Sequence, residues 1–189
     1  MTLDGKKVAI LIAPQGTEER EFVQPRDAVN QAGASLTVIG LEKGEAKTNN
    51  HDVEPGGSYA IDAAIGDVSA DDFDALILPG GCVGADKLRA SEEVVAFVRA
   101  FFEQQKPVAA ICHAPWLLVE ANVVHGRTLT SFPSIKTDIG NAGGDWVDRE
   151  VVVDNGLITS RNPHDLPAFC AKIIEEFGEG LHAAQAQGV

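Results

Sequence analysis

The chain has 189 residues, 44% hydrophobic and 23% charged, a length and composition that predict one soluble domain with a single substantial core. Twenty-eight acidic against fifteen basic residues give a net charge of −13, which repels phosphate backbones and anionic membranes alike and argues against a nucleic-acid or membrane partner. Three cysteines without a CxxC pair disfavour a disulfide scaffold and a structural zinc site, and no apolar run approaches the ~20 residues that cross a bilayer or forms a secretory leader, so the cytoplasm is the expected compartment.

Hydrophobic runs alternate with amphipathic segments, the pattern of a mainly parallel sheet covered by helices on both faces. Residues 8–13 read as a buried strand. Residues 17–25 and 26–32, closed by Gly33, read as a helix bent or restarted at Pro25. Residues 36–39 form the next strand, and 42–60, rich in Gly, Asn, Asp and Lys, an excursion containing small strands. Residues 72–81 are a strand running into the turn Pro79, Gly80, Gly81, at the sheet edge where α/β folds bind ligands. Ser91 is an N-cap for a helix burying Val94, Phe97, Val98, Phe101 and Phe102. Residues 108–112 are another buried strand, and a helix is expected to begin at His113 with no linker. Asn155 and Gly156 between β-branched runs predict a tight hairpin. Asp165 is expected to cap the last helix, with Leu166, Phe169, Cys170, Ile173 and Phe177 in its apolar stripe, Gly178 as its end and a frayed tail from Gly180. With no repeat or interdomain linker, residues 1–189 read as one domain.

The junction at Cys112 carries the chemistry. A strand passing directly into a helix must turn sharply and project the turn residue above the sheet, the logic of a nucleophile elbow. A cysteine ending an apolar strand is by itself more often a packing residue; the abrupt switch and the adjacent His113 favour a nucleophile. A helix N-terminus and an imidazole both lower a thiol pKa, and His113 can serve as base and then acid. The backbone N–H groups of Gly81 and His113 are the candidate oxyanion hole.

Residues 109–115 (Ala-Ala-Ile-Cys-His-Ala-Pro), preceded by Leu78, Pro79, Gly80 and Gly81, resemble the PfpI family of intracellular proteases and general stress proteins in the ThiJ/PfpI superfamily. Residues 17–25 with their acidic side chains, 85–89, 128–131, 141–143, 146–148, 159–163 and 165–169 extend the resemblance along nearly the whole chain. It implies a flavodoxin-like three-layer sandwich of the class I glutamine amidotransferase-like type, with Cys112 and His113 at the elbow. It also implies an acid that orients the histidine from a neighbouring subunit; Asp86 matches, which makes a dimer or higher homo-oligomer the active unit. Glu18 and Glu21 match acids lying against the sulfur, Glu21 aligning better. Such a carboxyl is expected to be protonated and to donate a hydrogen bond to sulfur. Ala114 replaces a frequent glycine, which puts the space near the oxyanion site in question, and Ala85 replaces a frequent proline before the acid.

The resulting expectation is a cofactor-free cysteine hydrolase acting on a peptide or small-molecule substrate: short peptides, or glycated adducts and 2-oxoaldehydes as deglycase and glyoxalase relatives imply. The alternative is a non-hydrolytic stress sensor or chaperone in which Cys112 is oxidised. A flavodoxin-like binding module is weakened by the lack of GxGxxG or P-loop signatures. Trp116 reads as a pocket or interface wall or, in preference, as a packing residue on the helix; Cys82 and Cys170 read as passive thiols, and His51, His125, His164 and His182 show no metal-ligand spacing.

Overall fold

The computed structural model describes residues 2–183, 185 and 186. The first apolar run forms β1 (Lys7–Leu11), followed by β2 (Gln15–Glu18) and α1 (Glu19–Gln31). The chain then builds β3 (Ser35–Gly40), a hairpin of β4 (Gly44–Asn50) and β5 (Glu54–Ile61), and β6 (Ala63–Ala64). Next come β7 (Ala75–Leu78), α2 (Cys82–Arg89), α3 (Glu92–Glu103), β8 (Val108–Ile111) and α4 (Pro115–Glu120). The remainder is β9 (Thr128–Leu129), α5 (Lys136–Asn141), β10 (Asp145–Trp146), β11 (Val151–Asp154), β12 (Leu157–Ser160) and α6 (Leu166–Glu179).

The main sheet has the order β11-β12-β8-β7-β1-β3-β6, all neighbours parallel except the β11–β12 hairpin. Numbering only β1, β3, β7, β8 and β12 in chain order gives 2-1-3-4-5, the flavodoxin-like order, whose switch point falls between β1 and β7. Strand alternation divides the core. Val8 and Ile10 join Phe22, Val29, Phe169 and Ile173 of α1 and α6 on one face, whereas Ala9 and Leu11 join Leu88, Phe97, Phe101 and Leu117 of α2, α3 and α4 on the other. Each of these large side chains contributes roughly 1.5–3 kcal/mol by leaving water.

Several local expectations change. α1 runs uninterrupted through Pro25, because that ring is itself buried in the helix's apolar stripe with Phe22 and Val29. Three turn residues, 112–114, separate β8 from α4, so the helix starts at Pro115 rather than His113. Asp165 occupies the N-cap position of α6 but makes no side-chain cap; its carboxylate is engaged by Arg161, with N–O distances of 2.9 Å from both Nε and Nη2. α6 continues past Gly178 and ends at Gly180, whose φ of 89° reverses the chain. The segment beyond is partly packed, since Gln185 is fully buried and its backbone carbonyl accepts from the Arg127 guanidinium; residues 184 and 187–189 of the expected frayed tail lie outside the described residues. At Asn155 and Gly156 the φ values of 48° and 82° make the anticipated tight turn.

Candidate active site

Cys112 leaves β8 in the left-handed region, with φ of 64°. For a residue with a Cβ this costs on the order of 1–3 kcal/mol and persists only where neighbours fix it. Here the Cys112 N–H donates to the Ser160 carbonyl at 3.0 Å, and the Cys112 carbonyl accepts from Phe132 N–H at 2.8 Å. Gly80 makes room: a Cβ there would stand 2.6 Å from Cys112 Cβ and 2.5 Å from Glu21 Oε2. The elbow thus sits at the carboxyl end of β8, beside the glycine turn after β7 and next to the switch point.

Cys112 Sγ is 3.2 Å from His113 Nδ1, and the residue is only 7% exposed. The backbone amides of Gly81 and His113 hydrogen-bond the sulfur. The Cys112 amide is already committed to the Ser160 carbonyl. Burial pushes the thiol well above its ordinary value, the Glu21 charge adds to this, and the two amides oppose it. This corrects the expectation of a lowered thiol pKa: α4 is a single six-residue helix that starts three residues beyond the sulfur, too little and too late to offset desolvation.

Of Glu18 and Glu21, Glu21 is the one at the sulfur. It is fully buried, its Oε2 accepts the Gly80 amide at 3.1 Å, its carboxyl lies beside the Cys112 thiol, and its Oε1 has no hydrogen-bond partner among the described residues. Burial, reinforced by Glu18, holds its pKa well above the ordinary 4.5. In its protonated form, which burial favours, the carboxyl does not repel a thiolate and can donate to it. Glu18 instead turns its carboxylate to the backbone amides of His51 and Asp52 at the tip of the β4–β5 hairpin. That tip is held over the site, with Asp52 Oδ1 accepting the Cys82 amide at 2.9 Å.

Burial lowers the His113 pKa from 6.5, so the imidazole is neutral at pH 7. Its ring stacks on Phe132 (centroids 4.7 Å apart) and meets Trp116 at 5.3 Å, while Nε2 lies 3.2 Å from Ser134 Oγ. Sequence reasoning passed over Phe132 and Ser134, which sit some twenty residues downstream on another loop, and favoured packing over a pocket or interface wall for Trp116. Asp86 is not near the histidine within the chain: its side chain is 63% exposed and pairs with Arg89 at 3.2 Å. The Ala114 and Ala85 methyls are fully buried in the core on the α2–α4 side. Cys82 and Cys170 are half-buried free thiols, both pushed up by burial, Cys170 to about 11. Among the described residues one trio has metal-ligand spacing, Glu176, Glu179 and His182 at the end of α6, with ligand atoms within 4.8 Å of one another. This places His182 in a cluster that its sequence spacing does not suggest.

Fold and site together define a flavodoxin-like α/β domain with a cysteine–histidine pair on a strained strand-to-turn elbow. Within that class the chain belongs to the DJ-1/PfpI family, whose model matches residues 6–176. It is 45% identical over 166 residues to General stress protein 18 of Bacillus subtilis, covering 87% of this chain and 94% of that one. It is 44% identical over 174 residues to Protein/nucleic acid deglycase 2 of Escherichia coli, covering 92% and 98%. A two-domain DJ-1/ThiJ/PfpI-like and ferritin-like protein from Anabaena variabilis superposes with a TM-score of 0.84 at 40% identity; the match covers 92% of this chain and 48% of that longer one. No helix among the described residues is long and apolar enough to cross a membrane.

Proposed function

We propose that the protein is a cysteine-dependent hydrolase that releases amines from small glycated adducts or acts on 2-oxoaldehydes, with Cys112 as nucleophile. The observation that carries this reading is the 3.2 Å contact between Cys112 Sγ and His113 Nδ1 on an elbow toward which the Gly81 and His113 amides converge. The neutral imidazole takes the thiol proton at Nδ1 while the sulfur bonds to the electrophilic carbon. The two amides receive the oxygen as it gains charge. His113 then returns the proton to the leaving amine or, with an aldehyde, to the new alkoxide. Either route leaves a hemithioacetal on the sulfur; its carbon-bound hydrogen passes to the neighbouring carbonyl carbon, and water, activated by the same imidazole, cleaves the resulting acylated sulfur to a 2-hydroxy acid.

A sulfur 7% exposed behind Phe132 and the hairpin tip suits a small carbonyl better than a folded polypeptide. The Escherichia coli relative's name, Protein/nucleic acid deglycase 2, supports deglycation as the reaction. Peptide hydrolysis is therefore the second choice of substrate. Glu21 also favours a separate reading as an oxidation sensor, because a protonated carboxyl beside sulfur stabilises a sulfinate as well as a thiolate.

The decisive comparison is wild type against Cys112→Ser and Cys112→Ala on methylglyoxal, on methylglyoxal-treated amino acids and on fluorogenic peptides, with the mass of Cys112 followed under peroxide. The reading requires turnover that both variants abolish. Equal turnover in the variants overturns it, and oxidation of Cys112 without turnover on any substrate replaces it with the sensor.

A further inference from the structure

We infer that Ser134 is the positioning residue for His113: its hydroxyl fixes the imidazole in the tautomer that leaves Nδ1 free to take the Cys112 proton, so that the base is set within a single chain. This rests on the role of His113 as base proposed above.

The imidazole is constrained on four sides. Phe132 and Trp116 cover its faces, and its two nitrogens meet Cys112 Sγ and Ser134 Oγ, each at 3.2 Å. Both tautomers satisfy these distances, but only one is consistent with proton transfer. If Nε2 carries the hydrogen and donates to Ser134 Oγ, the thiol donates to Nδ1. When the proton moves, the imidazolium keeps both contacts, Nδ1–H to the thiolate and Nε2–H to the serine. The opposite tautomer puts a hydrogen on Nδ1 facing a thiol that is itself protonated, and leaves no base. An oxygen that accepts from Nε2 bonds the charged imidazolium more strongly than the neutral ring, and so favours transfer.

Ser134 is well placed for this because its loop is anchored on both sides. Phe132 N–H is tied to the Cys112 carbonyl at 2.8 Å, and Ile135 is buried. Trp146 Nε1 donates to Ser131 Oγ at 2.9 Å, which in turn donates to the Phe132 carbonyl at 3.0 Å. The charged groups facing the imidazole region are Asp52 on the hairpin tip and Glu21 beside the sulfur, with Arg89 and Asp138 on Trp116. Among the described residues none of these hydrogen-bonds the imidazole; Ser134 does.

The test measures the rate of Cys112 alkylation by iodoacetamide against pH, resolved by peptide mass, in wild type, Ser134→Ala and Ser134→Thr, together with the ¹⁵N shifts of the His113 ring. Ser134 is exposed, so the variants are expected to fold, and a melting curve checks it. The wild-type ring should carry its hydrogen on Nε2. Ser134→Ala should alkylate about three- to tenfold more slowly at pH 7, with its profile displaced to higher pH, and Ser134→Thr should restore both. A Ser134→Ala profile that superimposes on wild type, or a ring protonated on Nδ1, overturns the assignment. Alkylation needs no substrate, so the expected profiles without turnover on any carbonyl compound would retire the hydrolase reading while leaving the role of Ser134 intact.

Discussion

Glu21 and Cys112 are two acids buried against each other, the carboxyl beside the thiol and anchored through Oε2 by the Gly80 amide at 3.1 Å, while among the described residues its Oε1 has no hydrogen-bond partner. Both cannot carry charge in that space. Burial disfavours the Glu21 carboxylate, and protonation makes the pair one donor and one sulfur rather than two anions.

The stability of the protein should record this. In the unfolded chain Glu21 ionises near its ordinary 4.5, whereas in the fold its pKa is raised well above that. Between these two values the folded state holds the extra proton, so this group's contribution to stability falls as pH rises and levels off once the folded carboxyl ionises. Glu21→Gln keeps the shape, the acceptor for Gly80 and a donor for sulfur, and removes the titration. Its melting temperature should match wild type near pH 4 and exceed it by more than about 3 °C at pH 8. A constant difference across that range would show that Glu21 is ionised in the fold.

His113 should set the acid limb of the rate profile. Its pKa is lowered from 6.5 by burial, so kcat/KM should fall only below that value and stay level through neutrality. His113→Gln should reduce kcat/KM by about 10²–10⁴-fold and abolish the limb. A limb that survives in the variant belongs to another group.

Gly80→Ala tests the backbone that makes the elbow. The new Cβ would lie 2.5 Å from Glu21 Oε2 and 2.6 Å from both Cys112 Cβ and the Ile111 carbonyl oxygen, none of them the free end of a flexible chain. The variant should lose about 1–3 kcal/mol by urea unfolding, along with most Cys112 alkylation. A loss of reactivity without a loss of stability would mean that the site moves while the core does not.

Much of this was legible in the chain because local signals and tertiary packing agree. The β-branched and aliphatic runs at 8–11 and 108–111 are buried on both faces and could be little else. Cys112 could be singled out because a strand ends on it beside a histidine. What the sequence hides is what distant segments bring. Ser134 and Phe132 arrive on a loop across the site, and Asp52 on a hairpin whose only motif is its polarity. The thiol pKa was misjudged for the same reason. Proximity to a helix start is visible in a sequence, whereas desolvation is a property of everything folded around the sulfur.

The role proposed for Asp86 depends on a second copy of the chain. Within one chain it makes only an exposed pair with Arg89, which contributes about 0–1 kcal/mol, so Asp86→Ala should leave the melting temperature of the isolated chain almost unchanged. Ser134, accepting from His113, retains its own hydroxyl proton and can donate it outward, so a carboxylate from a second copy would meet a donor already in line with the imidazole. Such a carboxylate would strengthen the base by charge without being needed to orient it. The expected outcome is a tenfold or greater loss of kcat/KM in Asp86→Ala at concentrations where the wild type is assembled. On dilution, wild-type activity per chain should fall toward that of the variant, while alkylation profiles of the two as monomers coincide. Sedimentation or light scattering alongside the assay separates assembly from chemistry. Equal activity of both proteins at every concentration would mean that no second copy contributes an acid and that Ser134 holds the histidine alone.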